Sequence, residues 1–201
     1  MINPKNWWRN NSETWLKKMA YWEQQSKGNS KHFIEERNFI ISEIEYHYVN
    51  NPDVTVLEVG AGNGRIIGGL SEMGIDGFEY YNCSSIDINS KLSEYVAKEY
   101  PRVETFVGEI IDLPFKDNEF DLVYTHEVLQ HIEPSEIEKA CSELKRVGKE
   151  VWTLENWRDK DPDIKVSDSH GGRWNWDLKK YFNVYYEFYT DWGQMFLKSK
   201  E

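Results

Sequence analysis

The stretch Val54-Thr-Val-Leu-Glu-Val-Gly60-Ala-Gly62-Asn-Gly64-Arg65 constrains this chain more than any other. An apolar run that reads as a buried strand ends in Glu58, then in three glycines at alternate positions, then in the helix-like Arg65-Ile-Ile-Gly-Gly-Leu70. Glycine has no Cβ and accepts positive φ, so a strand passing into a helix through such a turn lets a small ligand lie against bare backbone. A dinucleotide fingerprint needs another glycine three positions past the second. That position holds Arg65, so the turn departs from the nicotinamide pattern.

From this stretch onward the pattern alternates. Strands are expected at Val54 to Val59, Tyr80 to Ile86, Val103 to Val107, Phe120 to Thr125 and Glu150 to Glu155, and helices at Arg65 to Met73, Ser90 to Tyr100 and Pro134 to Val147. Short strands alternating with helices indicate βαβ units. The expected fold is α/β: a Rossmann-like, mostly parallel seven-stranded sheet with helices on both faces. Two aromatic runs, Phe182 to Thr190 and Gln194 to Lys198, flank Asp191-Trp-Gly193 and predict a C-terminal antiparallel hairpin. Between them and the last parallel strand lie a polar loop, Arg158 to Arg173, and a short helix expected at Trp174 to Tyr181.

Ahead of the glycine turn, Asn11 or Ser12 is a helix N-cap with Trp8, Trp15, Met19 and Trp22 on roughly one face. A polar loop, Gln24 to Lys31, then leads to a second helix, Phe33 to Tyr48. The chain therefore divides into an N-terminal helical arm or lid, 1–50, and an α/β domain, 51–201.

The formal net charge of −11 opposes the attraction that a polyanion-binding surface needs, which argues against bulk nucleic-acid binding. Cys83 and Cys141 form neither a metal-ligand spacing nor a disulfide framework, as suits a cytoplasmic protein. No apolar run reaches the ~18 residues of a membrane span. All 9 tryptophans fall in the first 25 residues or the last 50, so both ends of the chain form aromatic surfaces.

In an open parallel sheet ligands sit at the C-terminal strand ends. The second strand ends in Ser84-Ser-Ile-Asp87-Ile-Asn89, and a carboxylate there suits two vicinal ribose hydroxyls. A nucleoside-containing ligand follows, with helix capping by Asp87 as the plainer alternative.

Val56-Leu-Glu58-Val-Gly60-Ala-Gly62-Asn-Gly64-Arg65, Asp87, Val107-Gly-Glu109-Ile-Ile-Asp-Leu-Pro114-Phe115 and Glu119-Phe-Asp121-Leu-Val-Tyr-Thr-His126-Glu-Val-Leu-Gln-His131-Ile together closely resemble the class I S-adenosylmethionine-dependent methyltransferases. The resemblance runs from about Val54 to Glu155. It implies S-adenosylmethionine as cofactor and S-adenosylhomocysteine as product. It gives Gly60, Ala61, Gly62, Gly64 and Arg65 the methionine and ribose portions, Glu58 the ammonium group, and Asp87 with Ile88 the ribose. Glu109 and Ile110 would face the adenine, with Asp112 as a rival because the family usually carries aspartate where Glu109 stands. Thr125-His126-Glu127 would reach the sulfonium and the acceptor. A further similarity, in Pro114 to Asp121 and the Glu133-Pro134 helix start, is to methyltransferases linked to nonulosonic (pseudaminic-type) sugar biosynthesis, whose glycine turn differs.

Methyl transfer is an in-line displacement in which the protein aligns the acceptor and, for a hydroxyl or protonated amine, removes a proton. His126 is the first candidate for that base and His170 the second; a capping or merely polar loop histidine is the alternative for His126. The five-residue spacing of His126 and His131 does not match a zinc motif, and no metal is expected; His131 reads as a helix-packing residue. Trp8, Trp15, Glu127, Asn156, Trp157, Arg173 and Trp174 are candidates for the acceptor pocket: the tryptophans stack on a ring or cover the core, and Arg173 binds a carboxylate, phosphate or sugar. A small-molecule acceptor fits best, with O- or N-methylation. The rival readings are a protein or RNA methyltransferase and a catalytically silent cofactor-binding partner subunit. The sequence leaves the oligomeric state open.

Overall fold

A computed structural model describes residues 3–24, 30–51, 53–75, 79–157, 164–167, 172–191 and 193–200. The helices α1 (Pro4–Asn10), α2 (Ser12–Gln24) and α3 (Ser30–Tyr48) precede β1 (Thr55–Val59), α4 (Ile67–Ser71), a two-stranded ribbon of β2 (Gly74–Ile75) and β3 (Glu79–Tyr80), and β4 (Asn82–Asp87). The chain continues through α5 (Ser90–Glu99), β5 (Glu104–Val107), β6 (Phe120–His126), α6 (Ile137–Val147), β7 (Gly148–Asn156), β8 (Ile164–Ser167), β9 (Arg173–Asn175), β10 (Val184–Tyr189) and β11 (Gln194–Lys200).

Seven strands form one sheet in the order β10-β11-β7-β6-β1-β4-β5. β1 pairs in parallel with β4 on one side and β6 on the other, while β11 pairs antiparallel with β7 and β10. The expected sheet and its terminal hairpin are therefore present. The chain leaves β1 outward through β4 and β5, then returns to β6 on the opposite side. That reversal opens a crevice at the C-terminal ends of β1, β4 and β6, where ligands of such sheets collect.

Both faces of β1, β4, β6, β7 and β11 are buried, which explains why these strands read as apolar runs. On one face Leu57, Val59, Val123, Val151 and Leu197 share a core with Ala140, Cys141, Leu144 and Val147 of α6, residues spaced to form one helical stripe. On the other, Val56, Leu122, Tyr124, Trp152 and Phe196 pack with Ile40, Ile41 and Ile44 of α3 and with Ile66, Ile67 and Leu70 around α4. Each fully buried Leu or Ile contributes roughly 1.5–3 kcal/mol.

Several boundaries differ from the sequence expectation. The first helix breaks at Asn11, whose side-chain amide donates to the Trp7 carbonyl 2.7 Å away. Asn3 caps α1 by accepting from the Lys5 N–H at 2.9 Å. Trp8 and Trp15 still meet edge to face at 5.1 Å across the break, whereas the side chains of Met19 and Trp22 lie outside the described residues. The expected Arg65 to Met73 helix shrinks to α4, with Gly68 and Gly69 at its centre. Both are needed there: a Cβ at Gly68 would lie 2.4 Å from the Tyr100 ring. The helix expected at Trp174 to Tyr181 is instead β9 followed by a 3-10 turn at Leu178–Lys180. β9 pairs with β8, and that tertiary pairing overrides the local pattern. Of the expected loops, residues 25–29, 158–163 and 168–171 lie outside the described residues.

The glycine turn has the backbone its sequence implies, with φ of +77° at Gly60, +58° at Gly62 and +71° at Gly64. The three sites differ in their surroundings. A Cβ at Gly60 would stand 2.4 Å from Val128 Cγ2, while one at Gly62 would meet only the Trp15 indole nitrogen, at 3.4 Å. Gly62→Ala is therefore expected to cost about 1 kcal/mol, the price of left-handed backbone alone, and Gly60→Ala at least twice that. Urea denaturation of both variants checks this order; equal losses would contradict it.

Candidate active site

The crevice is a cavity of about 360 Å³ whose floor is the glycine turn and the tips of β1, β4 and β6. Glu58 and Asp87 both line it and both are buried, 3% and 9% exposed. One Glu58 oxygen accepts the Ile67 N–H at 3.0 Å, which fixes the start of α4. Asp87 accepts from Gly62 N and Asn89 N, each at 2.9 Å, and so ties the glycine turn to the β4 tip. Burial raises Asp87 to about 6 and Glu58 to about 7, and their hydrogen bonds offset this only in part.

The loop after β5 supplies Glu109 and Ile110 to the wall. It is pinned from outside by α6: Glu143 accepts the Leu113 N–H at 2.9 Å, and Arg146 donates to the carbonyls of Phe115 and Leu113 at 2.6 and 2.9 Å. The Arg146 guanidinium holds Glu143 down at about 2. Asp112, the rival to Glu109, is exposed and outside the cavity wall.

α1 lies across the cavity as a strap. Lys5 bridges Glu109 at 2.9 Å and Glu136 at 2.5 Å, Arg9 pairs with Glu109, and Asn3 donates to Glu133 at 3.1 Å. The Asn89 amide donates to the carbonyls of Trp8 and Arg9 at 2.7 and 3.1 Å. Trp8 and Trp15 line the cavity from this side, and Trp8 meets the His131 ring at 5.0 Å.

Beyond β6, a chain of polar side chains forms the opposite wall. Glu155, 3% exposed near the end of β7, accepts from Thr125 Oγ1 at 3.0 Å, from Val128 N and Leu129 N at 3.1 Å, and from Gln130 N at 3.3 Å. It thereby caps the 3-10 turn Leu129–His131, and burial raises it to about 7. His126 Nε2 stands 3.3 Å from Glu36 Oε2 of α3, and its Nδ1 is 3.5 Å from Arg65 Nη2. An arginine only donates, so a hydrogen bond at this distance runs from Arg65 to Nδ1. Glu36 is 1% exposed and also accepts from Arg65 at 2.8 Å and from Gln194 at 2.8 Å. Glu127, at a non-glycine φ of +56°, accepts from the amides of Asn156 and Gln194.

Most residues expected from the sequence converge here. Glu58, Gly60, Ala61, Gly62, Arg65, Asp87, Ile88, Glu109, Ile110, His126, Glu127, Asn156, Arg173, Trp8 and Trp15 all line the one cavity. Gly64 does not: its missing side chain makes room for Val96 of α5. Thr125 stands behind the wall with its hydroxyl on Glu155. Trp174 is core, stacked on Trp176 at 6.4 Å, and Trp157 packs toward Tyr189 at 6.0 Å. These two tryptophans cover the core rather than line the cavity, as the plainer reading has it. His170 lies outside the described residues. His131, expected as a packing residue, lines the cavity with Nδ1 3.1 Å from the Gly172 carbonyl. Glu36, Gln130, Gln194 and Glu155 were not singled out by the sequence; no local motif marks them. No group of three potential metal ligands occurs among the described residues.

The seven-stranded sheet, with the glycine turn and two buried acids at its strand tips, is Rossmann-like. Residues 57–150 match the family model described as a methyltransferase domain. An uncharacterised methyltransferase of Schizosaccharomyces pombe is 35% identical over 109 residues, 51% of this chain and 38% of that protein. A ubiquinone biosynthesis O-methyltransferase of Rickettsia bellii is 31% identical over 101 residues, 48% of this chain and 39% of that one. The match thus spans about two fifths of the length of these curated relatives. Among solved structures, magnesium protoporphyrin IX methyltransferase from Synechocystis with bound S-adenosylmethionine superposes with a TM-score of 0.74 at 14% identity, covering 100% of this chain and 98% of that one. A TehB-like methyltransferase from Corynebacterium glutamicum gives 0.65 at 14% identity, covering 95% and 98%.

Replacing Glu155 by Ala leaves four buried donors without their acceptor. The expected loss is about 3 kcal/mol, with Glu155→Gln costing less because one oxygen remains. Urea midpoints of the two variants check this, and an unchanged Glu155→Ala midpoint would contradict the capping role.

Proposed function

We propose that this chain binds S-adenosylmethionine in the crevice and transfers its methyl group to a hydroxyl or amine of a small molecule, in the cytoplasm. The observation that carries this reading is the convergence of the glycine turn, Glu58 and Asp87 on one cavity that the Pro4–Asn10 strap also covers. Bare backbone at Gly60 and Gly62 receives the methionine portion, Asp87 takes the ribose hydroxyls, and Glu58 faces the ammonium group. Glu109 and the Ile110 N–H face the adenine. The covered cavity suits a small acceptor better than a polymer, and the net charge of −11 disfavours RNA. No described helix is long and apolar enough to cross a membrane. The cytoplasmic assignment rests on Cys83 and Cys141, two buried free thiols that burial pushes up to about 12.

In the transfer, a lone pair of the acceptor bonds to the methyl carbon as the carbon–sulfur bond breaks and its electron pair stays on sulfur. The acceptor also gives up a proton, and His126 is the proposed base. Its ring lines the cavity, with Nε2 3.3 Å from Glu36 Oε2 and Nδ1 3.5 Å from Arg65 Nη2.

Titration calorimetry with S-adenosylhomocysteine tests the cofactor. Asp87→Ala is expected to weaken binding at least tenfold, because charge-assisted hydrogen bonds to hydroxyls are worth about 1.5–3 kcal/mol; unchanged affinity would refute the assignment. Affinity should also depend on pH. Raised to about 6 and 7, Asp87 and Glu58 are largely protonated at pH 5.5, and the cofactor's hydroxyls and ammonium favour their ionised forms. Binding should therefore release protons and tighten at least tenfold from pH 5.5 to 7.5, whereas a flat profile without proton release would contradict these roles.

A further inference from the structure

The acceptor side of the cavity holds two opposite charges that are not spent on each other. Arg173, on β9, is half-buried, and both its Nε and Nη2 donate to the same neutral atom, Gln130 Oε1, at 2.9 and 2.6 Å. No carboxylate pairs with it among the described residues. Glu127 is held by the amides of Asn156 and Gln194, with no cation on it among the described residues. Two other basic side chains on the wall are neutralised: Lys5 by Glu109 and Glu136, Arg65 by Glu36. An arginine forked onto an amide oxygen has exchanged a charged partner for a neutral one, and a desolvated guanidinium keeps its preference for a carboxylate.

The two charges are linked through shared amides. Asn156 Nδ2 donates to Glu127 and also, at 3.1 Å, to Gln130 Oε1, the atom that receives Arg173. Three hydrogen bonds therefore separate the guanidinium from the carboxylate, a reach of no more than about 8 Å. Glu127 is in addition a non-glycine residue at positive φ, a strained conformation that clusters at functional sites.

We infer that the methyl acceptor is a small carboxylic acid: Arg173 takes its carboxylate, and Glu127 accepts a hydrogen bond from an amine or hydroxyl within about 8 Å of it. The inference rests on the methyl-transfer reading above and adds the acceptor's chemical class. Arg173 turns one N–H from Gln130 to the ligand or adds its remaining donors, and the Gln130–Asn156 pair keeps the two charged groups at a fixed spacing. Trp8 and Trp15 line the facing side of the same cavity, where a flat carbon skeleton can pack against them.

The test uses the full chain saturated with S-adenosylhomocysteine and three probes: 4-aminobenzoate, 4-aminobenzamide, which lacks the charge, and benzoate, which lacks the donor. Calorimetry or ligand-observed NMR should find 4-aminobenzoate bound at least tenfold more tightly than the amide and more tightly than benzoate. Arg173→Gln should erase the acid-over-amide preference while S-adenosylhomocysteine affinity stays within twofold. Arg173→Lys, which keeps the charge but not the fork, should retain part of the preference, so a loss in Arg173→Gln alone is not misread as unfolding. Equal binding of acid and amide, no binding of the acid, or a preference that survives Arg173→Gln would overturn the inference. A parallel loss of S-adenosylhomocysteine affinity in Arg173→Gln would overturn it too, by assigning the arginine to the cofactor. If the unaltered chain does not bind S-adenosylhomocysteine, the methyl-transfer reading fails separately, and the same probe titrations on the ligand-free chain still decide whether Arg173 selects a carboxylate.

Discussion

Three buried carboxylates at the C-terminal edge of the parallel sheet hold the site together. Glu58 on β1, Asp87 on β4 and Glu155 on β7 each sit at or one residue before the strand end, and each accepts backbone N–H groups from loops at that edge. Loop backbone in a crevice has no ladder partner, so its donors need acceptors from elsewhere. The carboxylates supply them and so determine where the loops lie. Glu58 places the start of α4, Asp87 joins the glycine turn to the next strand, and Glu155 shapes the turn after β6.

These acids carry a cost. Burial raises all three, Asp87 to about 6 and the two glutamates to about 7. A group whose folded pKa lies above its unfolded one stabilises the fold below pH ~4 and loses that contribution as pH rises toward 6–7. Near neutrality the ligand-free protein thus carries strained acids. Glu155 faces four protein donors, whereas Glu58 and Asp87 line the cavity.

How much was legible in the sequence follows from the range of each interaction. The glycine turn was readable because positive φ at Gly60, Gly62 and Gly64 is a local demand that few other residues meet. The apolar strand runs gave the sheet for a similar reason, since burial on both faces leaves its mark on consecutive residues. The Glu36, Gln194 and Glu127 cluster left no such mark: Glu36 and Gln194 are 158 positions apart and meet only because α3 and β11 cover the same part of the sheet. Arg173 was read as an anion ligand from its residue type, but that no described carboxylate pairs with it is a property of the folded wall. Where the expectation missed, as at β9, a pairing with β8 decided the conformation.

The central claim is that the glycine turn, the β4 tip and the α1 strap form one cofactor cradle. Hydrogen–deuterium exchange with and without S-adenosylhomocysteine tests it most directly. The account predicts added protection in three separate segments at once: Gly60–Gly64, Asp87–Asn89 and Pro4–Asn10. Unchanged exchange at the glycine turn, or protection confined to segments outside the crevice, would contradict it.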